Sequence, residues 1–204
     1  MDLLKQLYTI SSKSGNEGAM KTFILKCLEC VSLSIKTDRI GNLYITKGNA
    51  EKYPCVAAHL DEIHSPCKRE VVIEGDKIFT VDKLWNRVGC GADDKNGLWV
   101  IINLLYSEPV LKAALFVQEE RIGDIVGCHG AKACDLSFFY DVKYVLECDR
   151  KGRSDVVYIG KGEILLCNQD FISQDVLRKY GYEMVKGGKT DVVELKMRGL
   201  EVPV

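Results

Sequence analysis

The sequence predicts an α/β fold: a three-layer αβα sandwich with a mostly parallel mixed central sheet, in a single domain spanning residues 1–204. Two observations lead to this fold class. Strands that are apolar throughout alternate with helical patterns, which is typical of a mostly parallel sheet covered on both faces. The chain is 47% hydrophobic and shows no linker, repeat or low-complexity stretch, so one sizeable core is the simplest organisation.

Helical and strand patterns alternate through the first half of the chain. An amphipathic helix opens it, and Ser12 and Gly15 break that helix. Turns rich in glycine and aspartate then separate short apolar runs, which predicts strands and hairpins. The predicted elements are helix 2–10, a helix opening at Asn16, strands 32–36 and 42–47, strand 54–59, a hairpin of 71–73 and 78–81, and a helix after Asp94.

The second half continues the alternation. Two apolar runs, 113–117 and 142–146, have the length and continuity of buried strands. We expect the hairpins to add antiparallel strands at an edge of the sheet. The other predicted elements are helix 127–138, strands 156–159 and 164–167, helices 170–180 and 190–198, and a final strand 200–204.

Composition and charge exclude several classes of partner. The chain has 28 basic and 29 acidic residues and no basic stripe interleaved with aromatic residues, so we expect no nucleic-acid partner. No apolar run approaches the ~20 residues of a membrane span, so we expect no membrane partner. Nine cysteines lie mostly in apolar runs, and the N-terminus lacks a secretory leader pattern, which predicts reduced thiols and a cytoplasmic location.

Four short acidic segments lie at strand ends or helix starts. They are His59-Leu60-Asp61, Gly91-Ala92-Asp93-Asp94-Lys95-Asn96-Gly97, Gln118-Glu119-Glu120 and Glu147-Cys148-Asp149. An open α/β sheet places its chemistry beyond the strand ends. One imidazole and several carboxylates that converge there suit a pair of divalent metal ions that activate water.

The first two segments each have a plain structural alternative. Residues two apart on an extended chain point to the same side, so Asp61 could orient the His59 ring while the ring's other nitrogen binds a metal. A surface turn after a strand is the alternative. Asp93 could bridge two cations, or Asp93 or Asp94 could cap the helix that follows.

The last two segments leave the division of roles open. Glu119 and Glu120 would point in different directions, one toward a metal and the other toward a bound water. Their spacing does not decide which one is the ligand and which the base. In the segment that ends the next apolar run, either Glu147 or Asp149 could reach the same face.

The set of motifs resembles the co-catalytic zinc peptidase superfamily, especially peptidase T-like tripeptidases, carboxypeptidase G-like enzymes and their deacylase relatives. The resemblance runs over nearly the whole chain. Its most specific parts are Gly-Ala-Asp-Asp-Lys-x-Gly at 91–97 and Glu-Glu-x-x-Gly at 119–123, followed by Gly130-Ala131; it extends to Gly187-Gly188-Lys189-Thr190-Asp191. Hydrolysis of a peptide or small amide is the activity that the resemblance implies.

The resemblance also implies a set of metal ligands. His59 and Asp149 are implied as ligands of a first metal, and Glu120 as a ligand of a second. Asp93 is implied as the carboxylate that bridges them, and in the family it is followed by a cis peptide bond. The implied cofactor is zinc, as one or two divalent ions, with Mn or Co as alternatives.

Two further residues receive catalytic roles from the resemblance. Asp61 is implied as the partner that orients His59. Glu119 is implied as the general base, which takes a proton from the bridging water and passes it to the leaving amine.

The sequence departs from the family in two places. The family's second metal normally has a histidine on a loop after the last core strand, whereas no histidine follows His129 here. Three explanations of the absent histidine compete. The protein is naturally shortened, the polypeptide is incomplete, or another chain supplies the ligand. Only 38 residues separate Asp149 from Gly187, which leaves no room for the inserted lid domain of many relatives.

These departures keep a second function open, a catalytically inactive or impaired relative that acts as a metal- or peptide-binding module. A nucleotide-binding domain is disfavoured because the chain has no glycine-rich phosphate loop. A homo-oligomer is an open alternative to a monomer. In the loop at 187–191, Thr190 or Asp191 either caps the next helix or contacts substrate.

Overall fold

The computed structural model describes residues 2–123, 126–152, 154–168 and 170–204. Its elements follow the predicted alternation of helices and strands. In chain order they are α1 (Asp2–Thr9), α2 (Gly18–Cys27), β1 (Ser34–Thr37), β2 (Leu43–Lys47), β3 (Tyr53–His59), β4 (Glu70–Glu74), β5 (Lys77–Val81), β6 (Arg87–Val88), α3 (Ala92–Ser107), β7 (Leu111–Phe116), α4 (His129–Ala133), a 3₁₀ helix (Leu136–Phe139), β8 (Val142–Glu147), β9 (Asp155–Gly160), β10 (Ile164–Leu165), α5 (Gln174–Tyr180), β11 (Glu183–Lys186) and α6 (Asp191–Met197).

A five-stranded mixed sheet with the strand order β1-β2-β7-β3-β8 lies at the centre. β3 pairs in parallel with β7 and with β8, while β2 is antiparallel to both β1 and β7. The carboxyl ends of the three parallel strands therefore meet at one edge. That edge is where the chain continues into three of the four acidic segments.

Alternation of side chains along β3 produces two apolar layers. Val56 and Ala58 face a buried cluster that includes residues of α1, α2 and α3. Cys55 and Ala57 face a second cluster that includes residues of α4 and α6. Because successive strand residues point to opposite faces, one apolar run builds both layers. The predicted three-layer αβα sandwich with a mixed sheet is confirmed.

Two small sheets lie apart from the central one. β4, β5 and β6 form an antiparallel sheet, and β9 pairs with β10 and β11. The β1–β2 hairpin extends an edge of the central sheet as expected, whereas the β4–β5 hairpin does not. The sequence did not predict β6 or β11, because runs of two and four residues carry too little alternation.

The predicted helix 127–138 is interrupted. It forms the short helix α4 and a separate 3₁₀ helix. Asp135 starts the 3₁₀ helix, and its side chain accepts a hydrogen bond from the Ser137 N–H at 2.9 Å. This local bond offers the backbone an alternative to a continuous α-helix.

The prediction of a strand at 200–204 is wrong. Residues 200–204 are described, and none of them has strand conformation. The Pro203 carbonyl oxygen nevertheless accepts a hydrogen bond from Val145 N at 2.9 Å, so this segment lies beside β8.

Among the described helices, none has the length and apolar character that crossing a bilayer requires.

Candidate metal and catalytic site

Side chains from four segments meet beyond the carboxyl ends of β3, β7 and β8. His59 is the last residue of β3, and Asp93 lies in the first turn of α3. Glu119 and Glu120 follow β7, and Asp149 follows β8. The parallel pairing of the three strands brings these segments together, although their residues are far apart along the chain.

The His59 ring is buried between two carboxylates. Its Nδ1 lies 3.3 Å from Asp61 Oδ1, and its Nε2 lies 2.9 Å from Asp93 Oδ1. Burial lowers the pKa of His59, but the nearby carboxylates of Asp61 and Asp93 outweigh it and hold the pKa well above its ordinary value. A cation that binds this ring therefore competes with a proton.

Asp61 also holds the turn that follows β7. Its Oδ1 accepts a hydrogen bond from Glu119 N at 2.9 Å, and its Oδ2 accepts one from Glu120 N at 3.0 Å. Burial raises the pKa of Asp61, but the contact with His59 and the bond from Glu119 lower it below its usual range. An ionised Asp61 thus fixes both the imidazole and the backbone that carries the two glutamates.

The two aspartates at the start of α3 have different environments. Asp93 is exposed and faces His59, whereas Asp94 is 2% exposed. Asp94 accepts hydrogen bonds from His59 N at 3.3 Å and from Gly97 N at 3.0 Å. The cap-like role therefore belongs to Asp94, which leaves Asp93 in the site. The peptide bond between them is cis, as the resemblance implied.

A glycine at position 97 is required by this arrangement. A Cβ atom there would lie 2.5 Å from both carboxylate oxygens of Asp94. Such a contact is far closer than van der Waals distance, so any side chain would displace Asp94. The second glycine of the Gly-Ala-Asp-Asp-Lys-x-Gly segment thus serves close packing.

Within the described ranges, two groups of three side chains could hold a metal ion. One is His59 with Asp93 and Glu120, and the other is His59 with Glu119 and Asp149. Within each group the ligand atoms lie within 4.8 Å of one another. Imidazole and carboxylate are donors that suit zinc and similar divalent ions, so the residues present fit the predicted kind of cofactor.

The other histidines lie outside both groups. His64 packs against Gly89, where a Cβ atom would lie 2.1 Å from His64 Nε2. His129 is exposed at the start of α4. Among the described residues, both candidate groups therefore depend on the same imidazole, that of His59.

Three carboxylates of the site, those of Glu119, Glu120 and Asp149, hold their protons more tightly than ordinary acids. Burial, with neighbouring carboxylates, raises the pKa of Glu120 to about 7 and that of Asp149 to about 8. Burial likewise raises the pKa of Glu119. Like charges in one partly buried cluster oppose ionisation, and a bound cation would relieve that repulsion.

The sequence left one further acid, Asp191, without a firm role. Asp191 is fully buried, and within the described part of the chain neither of its carboxylate oxygens has a hydrogen-bond partner. Burial and the nearby Glu147 raise the pKa of Asp191 well above its usual range. Thr190 makes no side-chain cap bond at the start of α6 in the described structure. The capping interpretation of this loop is therefore not supported, and only the fold reveals the burial of Asp191.

Two cavities adjoin the acidic cluster. The larger has a volume of about 690 Å³ and the smaller about 350 Å³, and Asp93 and Glu120 line both. Arg150 and Lys189 contribute positive charge to the larger cavity. Its apolar lining includes Leu146, Val156, Leu166, Ile172 and Val193. The same cavity is also lined by carboxylates, among them Glu119 and Asp149, and a cleft of this size that combines apolar and charged groups suits a small organic or peptide ligand.

Comparison with known proteins extends this description. No family model matches the chain. A protein of Acetivibrio thermocellus assigned as an aminopeptidase is 44% identical over 63 residues, which cover 30% of this chain and 19% of that protein. The match therefore spans only a small part of the aminopeptidase's length.

Solved peptidase structures match over much more of the chain. A tripeptidase of Staphylococcus aureus has a TM-score of 0.64 and 20% identity, covering 78% of this chain and 45% of its own. This chain thus spans less than half the length of that tripeptidase. A Pyrococcus horikoshii TET peptidase, which can assemble into a tetrahedron or a large octahedral shell, has a TM-score of 0.60 and 18% identity, covering 97% of this chain and 87% of its own. The chain therefore has the fold of these tripeptidase and TET peptidase structures.

Proposed function

We propose that this chain hydrolyses a peptide or a related amide bond with the help of one or two divalent ions. The observation that carries the proposal is the convergence of His59 with carboxylates from three other segments at one sheet edge. The peptidase fold and the short match to an aminopeptidase support the same reaction class. Zinc is the proposed ion, with Mn or Co as alternatives, because the donor set combines imidazole with carboxylates.

The proposed ligands are those that the resemblance implied. His59, Asp93 and Asp149 would hold a first ion, and Asp93 and Glu120 a second. Ligand atoms of Asp93, Glu120 and Asp149 each lie within 4.8 Å of a ring nitrogen of His59, which supports their place around this imidazole. The groups pair Asp93 with Glu120 and Asp149 with Glu119, so the division of the ligands between two ions rests on the resemblance alone. A bound divalent ion would lower the pKa of a water molecule and polarise the scissile carbonyl group.

Glu119 is the proposed general base. Its side chain is partly buried, and burial raises its pKa, which brings it closer to the pH at which it must both accept and release a proton. Its carboxylate would take the proton of the attacking water and give it to the leaving amine. Asp61 would fix the position of this base through the bond to Glu119 N.

Replacement of the base tests the mechanism most directly. We expect Glu119→Gln to lower kcat by roughly 10²–10⁴-fold on di- and tripeptides, because amide nitrogen and oxygen cannot shuttle the proton. Its metal content should equal that of the parent protein, as measured by atomic emission. Glu120→Gln should instead reduce metal content. Equal turnover by Glu119→Gln and the parent would remove Glu119 from the mechanism.

The size and lining of the larger cavity suggest short peptides as substrates, and the similar aminopeptidase suggests that these peptides have a free amino end.

A homo-oligomer is also part of the proposal, since the similar TET peptidase assembles into large shells. Light scattering coupled to size exclusion should give a mass well above that of one 22.9 kDa chain. A monomer at micromolar concentration would contradict this part.

A metal- or peptide-binding module without turnover is the second candidate. The observation that favours it is the sharing of one imidazole by both candidate groups. Carboxylates alone hold zinc less firmly than a set with imidazole, so a second ion would bind weakly. A parent protein that binds zinc and short peptides but releases no product from a panel of peptides would establish this alternative.

A further inference from the structure

One residue contacts both the backbone and the side chain of Glu119. Cys128 donates its N–H to the Glu119 carbonyl oxygen at 2.8 Å, and its thiol lies 3.3 Å from Glu119 Oε1. Cys128 is 2% exposed and lies just before α4. Nothing in the mechanism described above uses this thiol.

The backbone of Cys128 indicates that its side chain has a task. The residue has φ 60° and ψ 35°, the left-handed conformation that glycine adopts easily and cysteine adopts rarely. Residues held in such conformations cluster at functional sites. A glycine at this position would relieve the strain and keep the N–H bond to Glu119, but it would lose the thiol contact.

The surroundings of the thiol keep it protonated. Burial raises the pKa of Cys128, and the carboxylates of Asp191 and Glu119 raise it further, against a smaller opposing effect of Lys189. A protonated thiol can donate a hydrogen bond, and Glu119 Oε1 is the acceptor within reach. The contact thus has a defined direction, from sulfur to the carboxylate.

We infer that Cys128 is a positioning residue whose thiol holds Glu119 Oε1 and leaves Oε2 to take the proton of the attacking water. This inference rests on the proposed function of Glu119 as the base. A carboxylate that is held in one orientation is already in the reactive geometry. Small misplacements of a catalytic group lower the reaction rate strongly. The inference assigns no proton transfer to the sulfur itself.

Three substitutions at this position separate the thiol from the backbone. Cys128→Ala and Cys128→Gly remove the donor, and glycine also relieves the left-handed strain. Cys128→Ser keeps a donor. We expect the alanine and glycine variants to lose roughly tenfold in kcat, with KM and metal content unchanged, and the serine variant to recover most of the loss.

A matched control lies at the other end of α4. Cys134 is also 2% exposed, and its sulfur accepts a hydrogen bond from Arg198 instead of contacting Glu119. Cys134→Ala should therefore leave kcat unchanged. Parental kcat in both donor-free variants at position 128, or a serine variant as slow as alanine, would overturn the inference.

A measurement without turnover separates this inference from the proposed function. In a double-mutant cycle of Cys128→Ala and Glu119→Ala, the shifts in the urea midpoint should be non-additive, because the two side chains are in contact. The same cycle with Cys134→Ala should be additive. Additive shifts for the pair at 128 and 119 would overturn the contact even in an inactive protein. If the shifts are non-additive but the parent protein hydrolyses no peptide, the contact between Cys128 and Glu119 stands and only the proposed function is rejected.

Discussion

At the residue scale, Asp61 links the metal side of the site to the proposed base. One of its oxygens contacts His59 and Glu119 N, and the other accepts a bond from Glu120 N. The sequence suggested only the first of these contacts, because spacing along β3 relates Asp61 to His59 and to no distant residue. The bonds to the turn after β7 depend on the pairing of β3 with β7.

Removal of this carboxylate should weaken metal binding. Asp61→Ala takes away the partner of His59 Nδ1, and loss of such an outer contact typically costs about 10–100-fold in metal affinity. Competition with a chromophoric chelator measures this affinity. The control is Asp135→Ala, which removes an exposed carboxylate from the start of the 3₁₀ helix. Equal affinities in the Asp61 variant and the parent would contradict the prediction.

At the element scale, a buried ionic cluster fixes α3 and the segment after β3 to the N-terminal region. Glu62 bonds Arg69 at 2.8 Å and Lys95 at 2.9 Å, and both cations donate further bonds to backbone carbonyl groups, including that of Ile10. All three side chains are buried. Because Glu62 follows Asp61 directly and Lys95 follows Asp94, the cluster anchors both segments that carry proposed ligands.

Breaking this cluster should destabilise the fold. Glu62→Ala leaves two buried cations without their counter-charge, and such a loss costs about 3–5 kcal/mol. Urea denaturation followed by circular dichroism measures the free energy of unfolding. Lys186→Ala, which breaks the exposed pair with Glu163, should leave it unchanged. A Glu62 variant as stable as the parent would show that the cations find other partners.

At the scale of the whole molecule, we expect the acidic cluster to couple stability to pH and to metal binding. In the folded protein the pKa is about 7 for Glu120 and about 8 for Asp149, above the ordinary carboxyl value of about 4. At pH values between the ordinary carboxyl pKa and these raised pKa values, the folded metal-free protein binds more protons than the unfolded chain. Its free energy of unfolding should therefore fall as pH rises. The raised pKa of His59 acts in the same direction.

We expect the melting temperature of chelator-treated protein to fall between about pH 5 and 8 and that of zinc-saturated protein to change much less. Differential scanning calorimetry at matched ionic strength measures both. Asp149→Asn cannot ionise, so its metal-free form should show a weaker pH dependence and a smaller zinc effect. A metal-free melting temperature that rises over this interval would contradict the assignment.

The sequence predicted much of the fold and part of the site. Continuous apolar runs identified β3, β7 and β8, and the motifs at their ends named the residues that meet there. The β4–β5 hairpin was misplaced, because alternation within a hairpin says nothing about which sheet it joins. The final segment was predicted as a strand because most of its residues are apolar, whereas in the structure it lies beside β8, with a bond from Val145, and has no strand conformation.

Local spacing by itself determined that His59 and Asp61 share one side of an extended chain and that acidic residues lie at the start of α3. Only the tertiary structure decided that Asp93 faces the site while Asp94 is buried beneath it, and that Asp191 is buried without a partner in the described chain. The physical reason is that side-chain direction follows from the backbone of one segment. Distances between segments follow instead from strand pairing and from the packing of helices on the two faces of the sheet.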